Sequence, residues 1–307
     1  MSAMQKYMES IYKVLAKLKD SSLNKKIEVY GRMIKFSHSI FALPFALSAV
    51  VLATRTNTLT FWTFLWIIIA MVAARSAAMG FNRLVDADID KQNPRTEMRE
   101  IPSGEISKNA TIKFIAVSGF IFIFSAVMLG KICFYFSIPV LILLLLYSYT
   151  KRFTMFCHIY LGFVISLAPI GAWVAVTNSL SWPIVCLSLA LMTNIAGFDI
   201  LYACQDVEFD SEEKLFSIPS TLGVQKALKI STLLHVATFL FFTLFFFAFG
   251  MSAVYAFTLL LIGGLLVIEH RLVKPDDLSN VNIAFFHINS ILSVVLLVGI
   301  IINELIC

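Results

Sequence analysis

The sequence predicts an all-α integral membrane protein with nine transmembrane helices, on three observations. The 307-residue chain is 59% hydrophobic and only 14% charged, whereas soluble chains run at roughly 45–50% apolar. Its apolar runs repeatedly reach the ~20 residues that a helix needs to cross a bilayer. They are continuous rather than alternating, which argues against barrel strands.

In chain order, residues 1–30 carry Lys6, Lys13, Lys17, Lys19, Lys25 and Lys26 and lack the apolar core of a cleavable signal peptide. Met4, Met8, Ile11, Leu15 and Leu18 recur at helical spacing. This first segment is expected to be a basic amphipathic helix on the membrane surface, or else a solvated tail. Residues 31–307 form the membrane domain. Hydropathy places spans at about 36–54, 60–80, 110–130, 132–149, 154–176, 182–203, 228–249, 252–269 and 282–303. The joins alternate: TRTNTL, GKI, TNSLS and GMSA are short, and the joins after spans two and six are long and charged.

Basic residues set the orientation. Of the 24 Lys and Arg, Arg55 and Lys131 fall on the short-loop side and Arg75 lies inside span two; all others fall on the opposite side. The positive-inside rule then puts the N-terminus and both long loops in the cytoplasm and the C-terminus outside, in a multi-pass plasma (inner) membrane protein embedded in the lipid bilayer. No C-x-x-C pair occurs among the five cysteines, which read as small buried hydrophobes. The five histidines show no metal-ligand spacing and are assigned no role. The many Phe read as lipid-facing or packing residues. Nothing points to nucleic acid as a partner.

Two stretches carry the chemistry. After span two the chain reads FNRLVDADIDKQNPR, with Asn82, Asp86 and Asp90 four apart; after span six it reads YACQDVEFD, with Tyr202, Asp206 and Asp210 four apart. Ile-Pro-Ser follows each, at Ile101 and at Ile218. The pattern is an internal duplication of two acidic helix ends. Spacing of four places the acids of each motif on one helical face, and Asp88 and Glu208 should face elsewhere. Asp199, seven before Asp206, shares roughly that face at greater depth, where an ionisable residue marks function. A charged loop is ordinarily solvated surface, but two matching loops after matching spans argue for a site. Facing carboxylates repel unless a cation lies between them. Magnesium is commonly held by one or two carboxylates plus substrate phosphates, and Arg83, Lys91, Arg95, Arg99, Lys151 and Arg152 suit the same anion.

Asn82-Arg83-x-x-Asp86-x-x-x-Asp90 and Tyr202-x-x-x-Asp206-x-x-x-Asp210 resemble the two aspartate motifs of the UbiA superfamily of intramembrane aromatic prenyltransferases. The stretch from Tyr147 to Thr154, YSYTKRFT, is similar to its Y-P-x-x-K-R-x-T segment, with Ser148 in place of proline. The resemblance covers about residues 30–305. It implies nine transmembrane helices in a ring around a central cavity, capped on the cytoplasmic side by the motif loops. It further implies that Mg2+ bridges Asn82, Asp86, Asp90, Asp206 and Asp210 to a polyprenyl diphosphate. The acceptor would be an aromatic acid such as 4-hydroxybenzoate, on the way to ubiquinone or menaquinone. Arg83 departs from the usual first Asp of the motif, which shifts charge neutralisation from metal towards guanidinium. The FNR form, with NPRT and IPSG, resembles the menaquinone branch of the futalosine route, whose acceptor would be a dihydroxynaphthoate.

In the mechanism so implied, metal and basic residues stabilise the departing diphosphate. A dry, aromatic-walled site protects the allylic cation, and the electron-rich ring attacks. Asp86, Asp90, Asp206 and Asp210 form the ionising site, with Tyr147 and Tyr202 beside the substrates. Asp199 assists loss of the ring proton or orients the phenol. Lys151 and Arg152 hold the diphosphate or the acceptor's carboxylate; Arg32 and Lys35 are further candidates for that task. Prenylation of another quinone, haem or chlorophyll precursor is the alternative within the family. A transporter is the alternative outside it, although this repeat keeps one orientation and its acids sit at helix ends rather than at the midplane.

Overall fold

The computed structural model describes residues 22–306. The expected surface helix over residues 4–18 lies outside them. A first helix, α1 (Ser22–Met33), crosses the boundary expected at residue 30. Met33 and Ile34 at its end pack with Ile106, Met79 and Phe114.

The apolar runs become helices close to the expected limits. They are α3 (Phe61–Val85), α5 (Lys108–Leu129), α6 (Lys131–Thr150), α7 (Cys157–Thr177), α8 (Trp182–Ala203), α11 (Val224–Ala248), α12 (Ala253–Leu272) and α13 (Asn289–Ile306). Short pieces lie between them: α2 (Leu43–Ala53), α4 (Ala87–Asp90), α9 (Val207–Glu212) and α10 (Ile218–Leu222).

Among the described residues, eight helices are long and apolar enough to cross a membrane, one fewer than the nine expected. The missing one is the first. Lys35 adopts a left-handed conformation (φ 46°), a 3-10 segment covers Phe36–Phe41, and only the 11 residues of α2 follow as α-helix. Pro44 lies in the first turn of α2, a position that needs no backbone N–H and so favours a helix start there.

Helix packing follows a closed circuit, α7–α8–α11–α12–α13–α2 and back to α7, with α3, α5 and α6 packed together and joined to it through α6 and α7. Of the most apolar stretch of α8, 78% is buried, against 11% for α6; α8 is therefore the inner helix and α6 the lipid-facing one. Phe242 and Phe245 lie in the core and Phe247 points outward, which divides the Phe-rich run between packing and lipid.

Helices in lipid associate through small residues and buried polar contacts. At Gly162 of α7, an added Cβ would collide with the Met192 carbonyl oxygen of α8. Gly162→Ala is expected to cost about 1–3 kcal/mol by forcing the two helices apart. A lowered melting midpoint in detergent would show it, and an unchanged midpoint would count against the close approach.

Elsewhere, His235 meets His270 (2.9 Å), and the Asn289 amide donates to Glu269 (2.8 Å) and to the carbonyls of Ala284 and Phe285. Those carbonyls belong to a wide π turn over Ile283–Ile288. On the short-loop face, both oxygens of Glu304 in α13 accept from Arg55 (2.6 Å each), just past α2.

Candidate functional site

Both motif helices stop at the central aspartate. α3 ends at Val85 and Asp86 sits at φ −90°, ψ 0° before α4 begins. α8 ends at Ala203, a 3-10 turn covers Cys204–Asp206, and Asp206 sits at φ −107°, ψ 10° before α9. These are bridge-region torsions, sparsely used and common at active sites. The expectation of one unbroken helical face per motif is corrected here. Periodicity reports spacing but not torsions. The break falls at the central acid of each motif, separating Asn82 and Tyr202 from the acids, while each acid pair spans one turn of the short helix that follows. The duplication nevertheless extends to the backbone. Asp90 and Asp210 are buried, whereas Asp88 and Glu208 face solvent as expected.

Each motif carboxylate holds a cation. Arg95 donates twice to Asp206 (2.8 and 2.6 Å) and once to the Tyr202 hydroxyl (2.9 Å). Arg99 grips Asp90 (2.6 and 2.7 Å), and Lys151 donates to Asp210 (2.7 Å). Arg152 donates to the Val85 carbonyl (2.8 Å) and reaches Asp86 (3.4 Å), whose other oxygen accepts from the Asn82 amide (2.8 Å).

The two motifs are thus joined twice. The loop after the first sends Arg95 to the second, and the adjacent residues Lys151 and Arg152 touch one motif each. Burial works against the charges of Lys151 and Arg95, but Asp210 and Asp206 hold both above their ordinary ranges. Burial, reinforced by Asp90, pushes Asp86 up to about 6 against the pull of Arg152.

The other candidates divide. Arg83 is buried and its Nε donates to the Met33 carbonyl (3.2 Å). Arg75, odd in sequence for a charge within a span, donates to the Lys35 carbonyl (2.9 Å). Burial first, then the nearby charges of Arg83, Arg99, Arg95 and Arg75, lower Lys35 to about 8. Arg32 is instead drawn to the surface, where it donates to Glu105 (2.6 Å) and faces Glu28.

Tyr147 lies within electrostatic reach of Asp199 and Asp86. Asp199 meets His158 Nδ1 at 2.7 Å. Sequence reasoning assigned His158 no role; the two are 41 residues apart and no spacing signal links them. Beside Asp199, Phe198 packs on Phe41 and Phe285, and the Phe285 ring lies 4.3 Å from that of Tyr202.

The residues suit magnesium in donor chemistry. Asn82, Asp86, Asp90, Asp206 and Asp210 all carry side-chain oxygens, and Asp210 Oδ2 is buried without a partner. Among the described residues no three His, Cys, Asp or Glu gather into a metal cage. Magnesium shared with a diphosphate needs no such cage, because phosphates and water supply much of its shell.

The chain is similar to known proteins in sequence and in fold. The profile of the UbiA prenyltransferase family matches residues 42–291. Polyprenyl transferase ausN of Penicillium brasilianum is 30% identical over 55% of this chain and 52% of its own, so the chain spans about half the length of that relative. The 4-hydroxybenzoate octaprenyltransferase of Vibrio campbellii is 24% identical over 91% of this chain and 98% of its own. Among solved structures, the apo form of a UbiA homolog from Aeropyrum pernix K1 superposes with a TM-score of 0.79 at 28% identity, covering 87% of this chain and 98% of that one. A UbiA homolog from Archaeoglobus fulgidus, solved with GPP and Mg2+, gives 0.69 at 18% identity, over 89% and 99%.

Proposed function

From the UbiA prenyltransferase family, to which this chain belongs as a membrane-embedded prenyltransferase, we propose that it transfers a polyprenyl group from a polyprenyl diphosphate to an aromatic acid, 4-hydroxybenzoate or a dihydroxynaphthoate, in ubiquinone or menaquinone synthesis. The observation that carries this reading is the double link between the two acid motifs, through Arg95 to Asp206 and through Lys151 and Arg152. In this reading the four carboxylates and the cations that pair with them serve one shared diphosphate.

In this reading Asn82, Asp86, Asp90, Asp206 and Asp210 hold Mg2+, and Arg95, Arg99, Lys151, Arg152 and Lys35 bind the diphosphate oxygens. When bound, the metal neutralises charge on the leaving diphosphate. The Arg and Lys side chains give up carboxylate partners for phosphate oxygens and stabilise the same charge. Arg83 acts at one remove, by anchoring the end of α1 below Lys35. The rings of Phe41, Phe198, Tyr202 and Phe285 exclude water beside the acids and favour a developing allylic cation. Asp199 takes the ring proton or orients the phenol. The site faces the cytoplasm of the inner membrane, with the N-terminus on that side and the C-terminus outside, as the distribution of Lys and Arg supports.

Membranes containing the protein, given geranyl diphosphate with 4-hydroxybenzoate and a dihydroxynaphthoate in competition, should yield one prenylated acid by mass. Failure to prenylate either acid would remove the proposal. Because Lys35 is half charged near pH 8, diphosphate should bind more weakly as the pH rises past that value. Lys35→Arg should flatten this dependence, and calorimetric titration with geranyl diphosphate at pH 7 and 9 would measure it.

A further inference from the structure

We propose that His158 is the positioning residue for Asp199, and that this pair receives the proton the acceptor ring gives up; the proposal rests on the prenyl-transfer reading of the site.

Three observations carry it. First, the partner of Asp199 is unlike those of the motif acids. Asp86, Asp90, Asp206 and Asp210 are held by Arg or Lys, whereas Asp199 meets the imidazole of His158 at 2.7 Å. A carboxylate gripped by a permanent cation is a poor proton acceptor. An imidazole is no permanent cation, and in either charge state it can offer the carboxylate one directional N–H from Nδ1.

Second, the two side chains differ in access. His158 is 2% exposed and Asp199 21%, so the imidazole is locked within the protein while the carboxylate keeps an open side. His158 Nε2 is buried without a partner. Nδ1 is therefore the ring nitrogen that engages a partner, and a proton there is donated to Asp199.

Third, the backbone fixes the contact. Gly162, one turn after His158, lies against Met192 and Ala196 of α8, and Ala196 is one turn before Asp199. The close approach of α7 and α8 sets the distance between the pair. Asp199 directly follows Phe198, whose ring packs on those of Phe41 and Phe285, so the pair lies beside the aromatic cluster.

The step balances without another reagent. Once the allylic carbon has bonded to the ring, the ring carbon carries both the new C–C bond and its hydrogen. That C–H bond breaks, its electron pair restores aromaticity, and the proton bonds to an Asp199 oxygen. His158 keeps its own Nδ1 proton throughout, and Asp199 passes the ring proton to water on turnover. Burying the carboxylate's charge without a donor would be unfavourable, and the imidazole N–H supplies that donor.

The experiment compares the wild type with His158→Leu and His158→Asn in geranyl transfer. The acceptors are 4-hydroxybenzoate and a dihydroxynaphthoate, each unlabelled or deuterated at the prenylated ring position. His158→Leu is expected to lower kcat by about 10- to 100-fold with KM for geranyl diphosphate unchanged. It should also expose a primary isotope effect that the wild type lacks, because proton loss becomes limiting. His158→Asn places an amide N–H where Nδ1–H stood and should recover most of the rate. An unchanged kcat in His158→Leu, a loss without an isotope effect, or no recovery in His158→Asn would each overturn the proposal while leaving prenyl transfer standing. A wild type that prenylates neither acid would overturn the reading of the site and this proposal with it.

Discussion

Asp206→Ala is expected to abolish prenyl transfer while the protein still inserts and purifies as a monodisperse species. Asp206 is the acid that the first motif's loop reaches, through two hydrogen bonds from Arg95. In the proposed site its loss would remove one oxygen ligand of the metal, and it releases Arg95 from the second motif. Removing a single preorganised electrostatic group typically costs about 10²–10³ in rate. Here two features fail together, so the loss should exceed about 10³-fold. Asp86→Ala, at the matching break in α3, should behave alike. Product quantified by mass after an hour with geranyl diphosphate decides the matter, and wild-type yield from either variant would sink the shared-diphosphate site.

The second large effect is that of metal removal. Excess EDTA should stop transfer, and Mg2+ added beyond the chelator should restore it. Oxygen-only donors and the unpartnered Asp210 Oδ2 would suit a hard cation. Calcium should restore less, because it prefers longer bonds and more ligands than magnesium. Undiminished transfer in EDTA would mean that Arg95, Arg99, Lys151 and Arg152 manage the diphosphate alone. The metal assignment for Asn82, Asp86, Asp90, Asp206 and Asp210 would then be withdrawn.

Much of this molecule was legible in its sequence because lipid imposes a strong one-dimensional rule. Continuous apolar runs gave eight spans within a few residues of their observed limits. The first run misled because hydropathy does not register the left-handed Lys35 or the helix start that Pro44 favours. The acid motifs were legible as spacing, but the breaks at Asp86 and Asp206 were not, since a four-residue repeat looks alike across a helix and across a kink. The pairing of His158 with Asp199 was invisible for another reason. It depends on how closely α7 and α8 approach at Gly162, a property of packing and not of any local pattern. Arg32 and Arg75 show the same limit: both are basic residues near α1, and only the fold shows Arg32 captured by Glu105 and Arg75 turned to the Lys35 carbonyl.

The interrupted helices α3 and α8 have an electrostatic consequence of their own. Each stops with its carboxyl-terminal pole at the acid, and α6 likewise ends just before Lys151. Such a pole is equivalent to roughly half a negative elementary charge. Three peptide macrodipoles therefore add to the attraction for cations, independently of any side chain.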